Sequence, residues 1–365
     1  CADRISETLI KMDTWIVKIE EDSIDQTVLV RAGEIIKSGG LVAFPTETVY
    51  GLGGDALNGT SSRKIYAAKG RPSDNPLIVH IAKMEDLPKI ARDIPKQALA
   101  LAGKYWPGPL TMIFNKTECV PSETTGGLST VAVRMPSNKI ARALIEASGG
   151  YVAAPSANRS GRPSPTLAKY VAEDLDGRVD MIIDGGAAKI GLESTIVDFT
   201  EENPVILRPG YITEEMIRQA TGCPAGRETV PGAGDDGEET EAPKAPGMKY
   251  RHYAPRGSLT IVEGKETRLV SAFICRELQG AKAEGKKTGV IATDETAAVY
   301  PADSVKSVGK RADEAEIAKS LFRILREFDD EEIQVIYAES FDVQGVGQAI
   351  MNRLLKAAGN HMVHV

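Results

Sequence analysis

Histidine and cysteine are scarce in this chain, four of each among 365 residues. The cysteines, at positions 1, 119, 223 and 275, form no CxxC pair and share no ligand spacing with the histidines, so neither a disulfide framework nor a zinc site is indicated. Reduced thiols point to the cytoplasm. Long apolar runs are missing too: nothing approaches the ~18 residues of a membrane-crossing helix, and the N-terminus lacks the basic-then-apolar pattern of a secretory signal. No membrane partner is expected. Positive charge is not in excess, and a formal net charge of −7 argues against a surface built to coat nucleic acid, while leaving room for a local basic cleft. The glycine cluster Gly51-Leu52-Gly53-Gly54 has no Gly-Lys-Ser/Thr ending and is not a Walker A loop.

What is present is ordinary in bulk. Hydrophobic residues make up 42% and charged residues 26%, as in soluble globular proteins, and 35 glycines with 20 prolines suit a loop-rich α/β protein. The length allows two domains at ~100–200 residues each. Met12 reads as the natural start, with an upstream extension before it.

Along the chain, 14–19 alternates, 26–38 has a helical apolar stripe stopped by Gly39-Gly40, and 41–44 reads as a buried strand. A helix over 61–68 is followed by a strand over 77–81. Helical segments near 84–91, 95–104, 138–147, 166–173 and 213–221 alternate with strands near 110–114, 130–135, 151–154, 181–184, 194–199 and 205–208. Residues 222–247 break this pattern, being acidic and rich in glycine and proline, as a linker should be. Beyond Ser258, strands at 259–262, 288–292 and 333–338 alternate with helices at 267–280, 312–328 and 346–358, which predicts a small parallel-sheet domain. The division is 13–221, 222–257 and 258–365.

Four polar stretches stand at strand or helix ends in the first domain. Lys69-Gly70-Arg71 puts two cations around a glycine that should cap a helix, and such cations also offset the helix dipole. Pro45-Thr46-Glu47-Thr48-Val49-Tyr50 precedes the glycine cluster, where the bland reading is a turn. Ala154-Pro155-Ser156-Ala157-Asn158 combines small residues with directional hydrogen-bonding groups. Leu207-Arg208-Pro209-Gly210 is the fourth. Open α/β sheets place ligands at strand ends, so the four suggest one shared site. Alternation over 130–135 puts Thr130 and Arg134 on one face, within reach of a common ligand. Ser164 is expected near a helix N-terminus, and His80, interrupting an apolar strand, is by default a satisfied buried histidine.

Taken together, Lys-x-Arg at 69 and 71, Ser-x-Asn at 156 and 158, the Pro-Thr-Glu-Thr-Val-Tyr-Gly-Leu segment and the His-Tyr-x-Pro of the linker resemble the YrdC family. The two-domain layout is similar to its longer members, the threonylcarbamoyl-AMP synthases. The resemblance covers about 26–222 plus the linker motif. It implies an open, twisted, mixed-sheet catalytic domain around a concave cationic cavity, followed by a smaller parallel α/β, Rossmann-like domain. It also implies a nucleotidyltransferase that makes threonylcarbamoyl-AMP and pyrophosphate from L-threonine, bicarbonate and ATP. Mg2+ would be held mainly by the ATP phosphates. The product would pass to a tRNA threonylcarbamoyltransferase complex that modifies tRNA adenosine, and RNA contact stays open.

By the same resemblance, Lys69, Arg71, Ser156 and Asn158 are the catalytic set. ATP would be held by these four with Asn75, Thr130, Ser164, Arg208, His252 and Tyr253. L-Threonine would be held by Thr48, His80, Arg134, Ala154 and Ser194, with His80 a base or a contact only. Residues 246–255 would form a lid over the labile carbamate. The long acidic insert before them departs from the family pattern. Competing readings are a nucleic-acid binding module and a carbamoyltransferase with another donor.

Overall fold

The computed structural model describes residues 13–227, 243–246 and 253–365. Two sheets organise them. Among the described residues the first has twelve strands, in the spatial order Trp15–Lys18, Met181–Asp184, Val42–Phe44, Gly51–Asp55, Val152–Ala153, Ile78–His80, Thr130–Arg134, Leu110–Lys116, Thr195–Asp198, Val205–Arg208 and Gly226–Arg227, with Ala91–Arg92 joined to Leu110–Lys116. Parallel and antiparallel pairs are mixed. In the middle, register puts His80 opposite Arg134 on one side and opposite Val152 on the other. Thr111 lies opposite Arg134 and, on its other edge, opposite Ile196.

The glycine cluster expected as a turn is instead the strand Gly51–Asp55. A Cβ on Gly53 would come within 2.9 Å of both the Phe44 ring and Val152 Cγ1, so its absence lets side chains from the two flanking strands share that face. These glycines serve packing. Helices Gln26–Lys37 and Lys139–Ala147 cover one side of the sheet, burying Ile36, Phe44, Leu144 and Ile183 in one cluster. Leu52, Ile65, Val79, Leu101 and Val133 fill the opposite side. Each such side chain contributes roughly 1.5–3 kcal/mol on burial.

The helix expected over 61–68 runs Gly59–Lys69, because the Asn58 side chain accepts from Thr60 N and caps it two residues earlier. Gly70, at φ 62°, ends it, and Arg71 N returns to Tyr66 O at 3.0 Å. The helix expected from 166 begins later, at Ala168–Leu175, because Leu167 is extended, at φ −135° and ψ 144°, and stands as its N-cap. Ser164 therefore sits in a loop, away from the expected helix N-terminus.

The second sheet is all parallel, in the order Ser304–Ser307, Thr288–Ala292, Val335–Glu339, Ser258–Glu263 and Met362–His364. Its two outer strands were not expected. Ser304–Ser307 carries a single apolar residue and is half-buried along its length, so it shows no buried run. Helices Glu314–Asp330 and Gly347–Ala357 face the first domain. Val49 and Leu192 of the first domain enter the second domain's core beside Phe322, and Arg326 pairs with Asp174 at 2.6 Å across the junction. Gly191, at φ 82°, lies so close to the long helix that a Cβ there would stand 2.4 Å from Lys319 Cα.

Candidate active site

The strand residues Ile78, His80, Arg134 and Arg208 meet the loops after Val42–Phe44, after Gly59–Lys69, after Val152–Ala153 and before Thr195–Asp198 at one cavity. Of the expected residues, Arg71, His80, Arg134, Ala154, Ser156, Ser194, Arg208 and Tyr253 line it. Three guanidiniums against the Glu193 carboxylate make it cationic, and an anionic ligand suits it.

Each arginine is held in place. Arg71 Nη2 donates to Asn75 Oδ1 at 2.5 Å and to Pro76 O at 3.1 Å, while Nε donates to Asn75 O at 3.2 Å. Burial, followed by the nearby Arg208 charge among the opposing influences, brings its pKa down to about 10, still charged at neutral pH. Arg208 Nε and Nη2 donate to Ser194 O at 3.2 and 3.0 Å, and burial lowers its pKa as well. Arg134 Nη2 donates to Glu47 Oε1 at 2.7 Å with both side chains about 5% exposed. Arg134 Nε and Glu47 Oε2 remain without hydrogen-bond partners.

His80 is buried, and its Nδ1 lies 3.1 Å from Ile78 O. Burial, then the Arg134 charge, pushes its pKa down to about 3, so the ring is neutral at physiological pH. A conjugate acid that weak cannot hold a proton taken from an ammonium group.

Other expected residues stand behind this wall. Lys69 is buried, and its Nζ donates to Ser156 O and Asn158 O, both at 2.5 Å. Desolvation, then Arg71, lowers its pKa well below the ordinary value. Lys69 thus ties down the loop that presents Ser156, whose Oγ donates to Asn158 Oδ1 at 2.5 Å. Asn75 orients Arg71. Thr48 Oγ1 pairs with Thr46 Oγ1 at 2.9 Å, and Ser164 Oγ donates to Glu193 Oε1 at 2.6 Å. Thr130 and Arg134 share a strand face but lie at its opposite ends, ~13 Å apart for four extended residues. Of the two, only Arg134 lines the cavity, and a single amino acid is too short to touch both. His252 lies outside the described residues.

The linker completes the enclosure. Pro246 and Tyr253 line the cavity, Arg208 Nη1 donates to Pro246 O at 3.3 Å, and Ala245 is buried among Ile78, Ile113, Ala132 and Ile196. The Tyr253 ring packs at a tilt against Phe322, with centroids 5.0 Å apart, and its phenol is pushed up to about 12 by burial and by the Glu193 carboxylate. The space left is about 50 Å³, against ~300–1,000 Å³ for ordinary ligand sites. With Pro246 and Tyr253 in place the space is smaller than a nucleotide.

Sequence reasoning singled out neither Glu47 nor Glu193 as a site residue. Glu47 was visible inside the Pro-Thr-Glu-Thr stretch, and Glu193 beside Ser194, but only the fold reveals their arginine partners. Among the described residues no group of three histidines, cysteines or carboxylates gathers as a metal site, and no helix is long and apolar enough to cross a membrane.

Residues 34–210 match the Sua5, YciO and YrdC family model, described as telomere recombination, and residues 212–359 match the threonylcarbamoyl-AMP synthase C-terminal domain. The chain is 47% identical over 355 residues to the threonylcarbamoyl-AMP synthase of Pyrococcus abyssi, covering 96% of this chain and 100% of that one. The Bacillus subtilis protein of the same name is 46% identical, with 97% and 100% covered. A crystal structure of P. abyssi Sua5 complexed with L-threonine superposes with a TM-score of 0.89 at 47% identity, covering 96% of this chain and 100% of that one.

Proposed function

The chain belongs to the threonylcarbamoyl-AMP synthase family, and on that premise we propose that its cavity joins L-threonine, bicarbonate and ATP into threonylcarbamoyl-AMP with release of pyrophosphate. The observation that carries this reading is the set of three buried arginines, Arg71, Arg134 and Arg208, in a cavity that they share with one carboxylate, Glu193, and the neutral imidazole of His80. Bicarbonate loses hydroxide to give CO2, the free threonine amine adds to its carbon, and the hydroxide takes up the proton that the nitrogen loses, leaving the carbamate and water. A carboxylate oxygen of the resulting carbamate attacks the α-phosphorus, and the bond to the β-phosphate oxygen breaks.

Several anionic groups must meet for that step. Lys69, Arg71 and Arg208 offset the triphosphate charge, guanidinium forks being suited to phosphate, with Lys69 acting through the Ser156–Asn158 loop. Asn75, Thr130, Ser156, Asn158 and Ser164 orient the nucleotide. Arg134 takes the threonine carboxylate, helped by Thr48, His80, the Ala154 backbone and Ser194. His80 serves as a neutral contact, and not as the base. Tyr253 covers the reactants and excludes water from the carbamate, and His252, outside the described residues, is assigned to the same ATP contact. Catalysis is then positioning and charge stabilisation, as in other phosphoryl transfers. The catalytic unit is 13–221 and the lid lies within 222–257.

Mg2+ fits as an ion that the ATP phosphates bring with them. Glu47 Oε2, buried and unpartnered, is the protein oxygen that would join it, matching an ion that takes one or two carboxylates and keeps its waters. When bound it supplies positive charge to the leaving pyrophosphate. We assign delivery of the product to a tRNA-modifying complex in the cytoplasm. The enclosed cavity does not suit the continuous backbone of RNA.

The test is pyrophosphate release from ATP, with threonine and bicarbonate omitted in turn. Release that requires both is the expected result, and release independent of either one would overturn the reading.

A further inference from the structure

The second domain puts one buried guanidinium directly behind the cavity wall. Arg353, on the helix Gly347–Ala357, is fully buried, and its Nε donates to Glu193 Oε2 at 3.1 Å. Its Nη1 donates to Pro209 O, and its Nη2 to Glu193 O at 3.4 Å. Glu193 directly precedes Ser194, and Pro209 directly follows Arg208. One side chain thus ties together the two segments that carry the Arg208 to Ser194 contact.

Glu193 lies within the field of two cations, Arg353 and Arg208. A buried carboxylate without a partner is costly, so it pairs with whichever guanidinium can reach it. With Arg353 in place, Arg208 spends its bonds on Ser194 O and faces the cavity. Without Arg353, Arg208 is the other arginine whose charge acts on the buried carboxylate, and capture would draw Arg208 away from Ser194 and from an incoming anion.

We propose that Arg353 is a positioning residue of the adenylation site, engaging Glu193 so that Arg208 stays directed at the nucleotide phosphates. This rests on reading the cavity as the ATP pocket. It also gives the second domain a part in catalysis that its distance from the reacting atoms conceals. Domain docking does not depend on Arg353 alone, because Arg326 bonds Asp174 and Pro163 O separately and Leu192 stays buried in the second core. Burial alone would raise the Glu193 pKa, yet Arg353 and Arg208, with the Ser164 hydrogen bond, outweigh it and hold the carboxylate below its usual range, in keeping with this arrangement.

The experiment uses the full chain with Arg353→Met, Arg353→Lys and the double variant Arg353→Met/Glu193→Gln, reading the KM for ATP, kcat and the ATP dissociation constant by calorimetry. Arg353→Met should raise the KM and the dissociation constant for ATP at least tenfold. The double variant should bind ATP at least threefold more tightly than Arg353→Met, because a neutral glutamine no longer captures Arg208. Lysine keeps the charge and should stay within about fivefold. Should Arg353→Met alone fail to fold, the lysine and double variants carry the same comparison. An Arg353→Met enzyme with a lowered melting temperature but unchanged ATP binding overturns the proposal, as does a double variant no better than the single one. Calorimetry with ATP alone separates this failure from failure of the activity reading, since it needs neither threonine nor bicarbonate.

Discussion

Acidifying the protein should destabilise it through His80, and the size of the effect follows from its burial. The imidazole titrates near 6.5 when unfolded and near 3 in the folded chain, where burial and Arg134 disfavour the cation. Because the folded pKa is depressed, the unfolded state binds the proton first. Stability is therefore complete above about pH 7 and falls as pH drops through 6.5 toward 3. At ~1.4 kcal/mol per pH unit, the fall from pH 7 to pH 5 is about 2 kcal/mol from this residue. Urea unfolding of wild type and His80→Gln over that range isolates it, since glutamine does not titrate. The difference between the two proteins should shrink by about 2 kcal/mol on going to pH 5. A constant difference would refute the reasoning, and so would one that grows. The same neutral ring means that kcat/KM for threonine should show no His80 titration near pH 6.5.

Lys69→Met removes two charge-assisted bonds to the Ser156 and Asn158 carbonyls, each worth ~1.5–3 kcal/mol and partly offset by relief of a buried charge. A net loss of about 2–4 kcal/mol by denaturant melt should accompany a kcat fall of tenfold or more. Full stability with only a raised KM for ATP would mean that its ammonium serves the phosphates and not the loop. Gly191→Ala places a Cβ against Lys319 at positive φ, which combines ~1–2 kcal/mol of backbone strain with ~1–3 kcal/mol of overpacking. Limited proteolysis should then cut between the domains faster than in wild type, and an unchanged rate would show that the junction has slack.

Much was legible in the sequence because it is written locally. Apolar periodicity located most of the central strands and helices, with boundaries shifted by a residue or two where a cap intervened, as at Asn58 and Leu167. The YrdC-like motifs marked the loops that meet at the cavity, since a chemistry with several anions needs arginines, hydroxyls and amides wherever the fold places them. Edge strands such as Ser304–Ser307 escaped, because a half-exposed strand needs no apolar run.

The pairings of charges belong to tertiary structure alone. Nothing near Lys69 in sequence says that its ammonium will meet the carbonyls of Ser156 and Asn158, 87 and 89 positions away. Arg353 stands 160 positions from Glu193 on a helix whose pattern shows only amphipathicity. Residue type and spacing determined which groups this chain could bring to a phosphate. Which guanidinium faces the cavity, and which is consumed by a carboxylate, was decided by close packing of the two domains, where a buried charge must take the partner within reach.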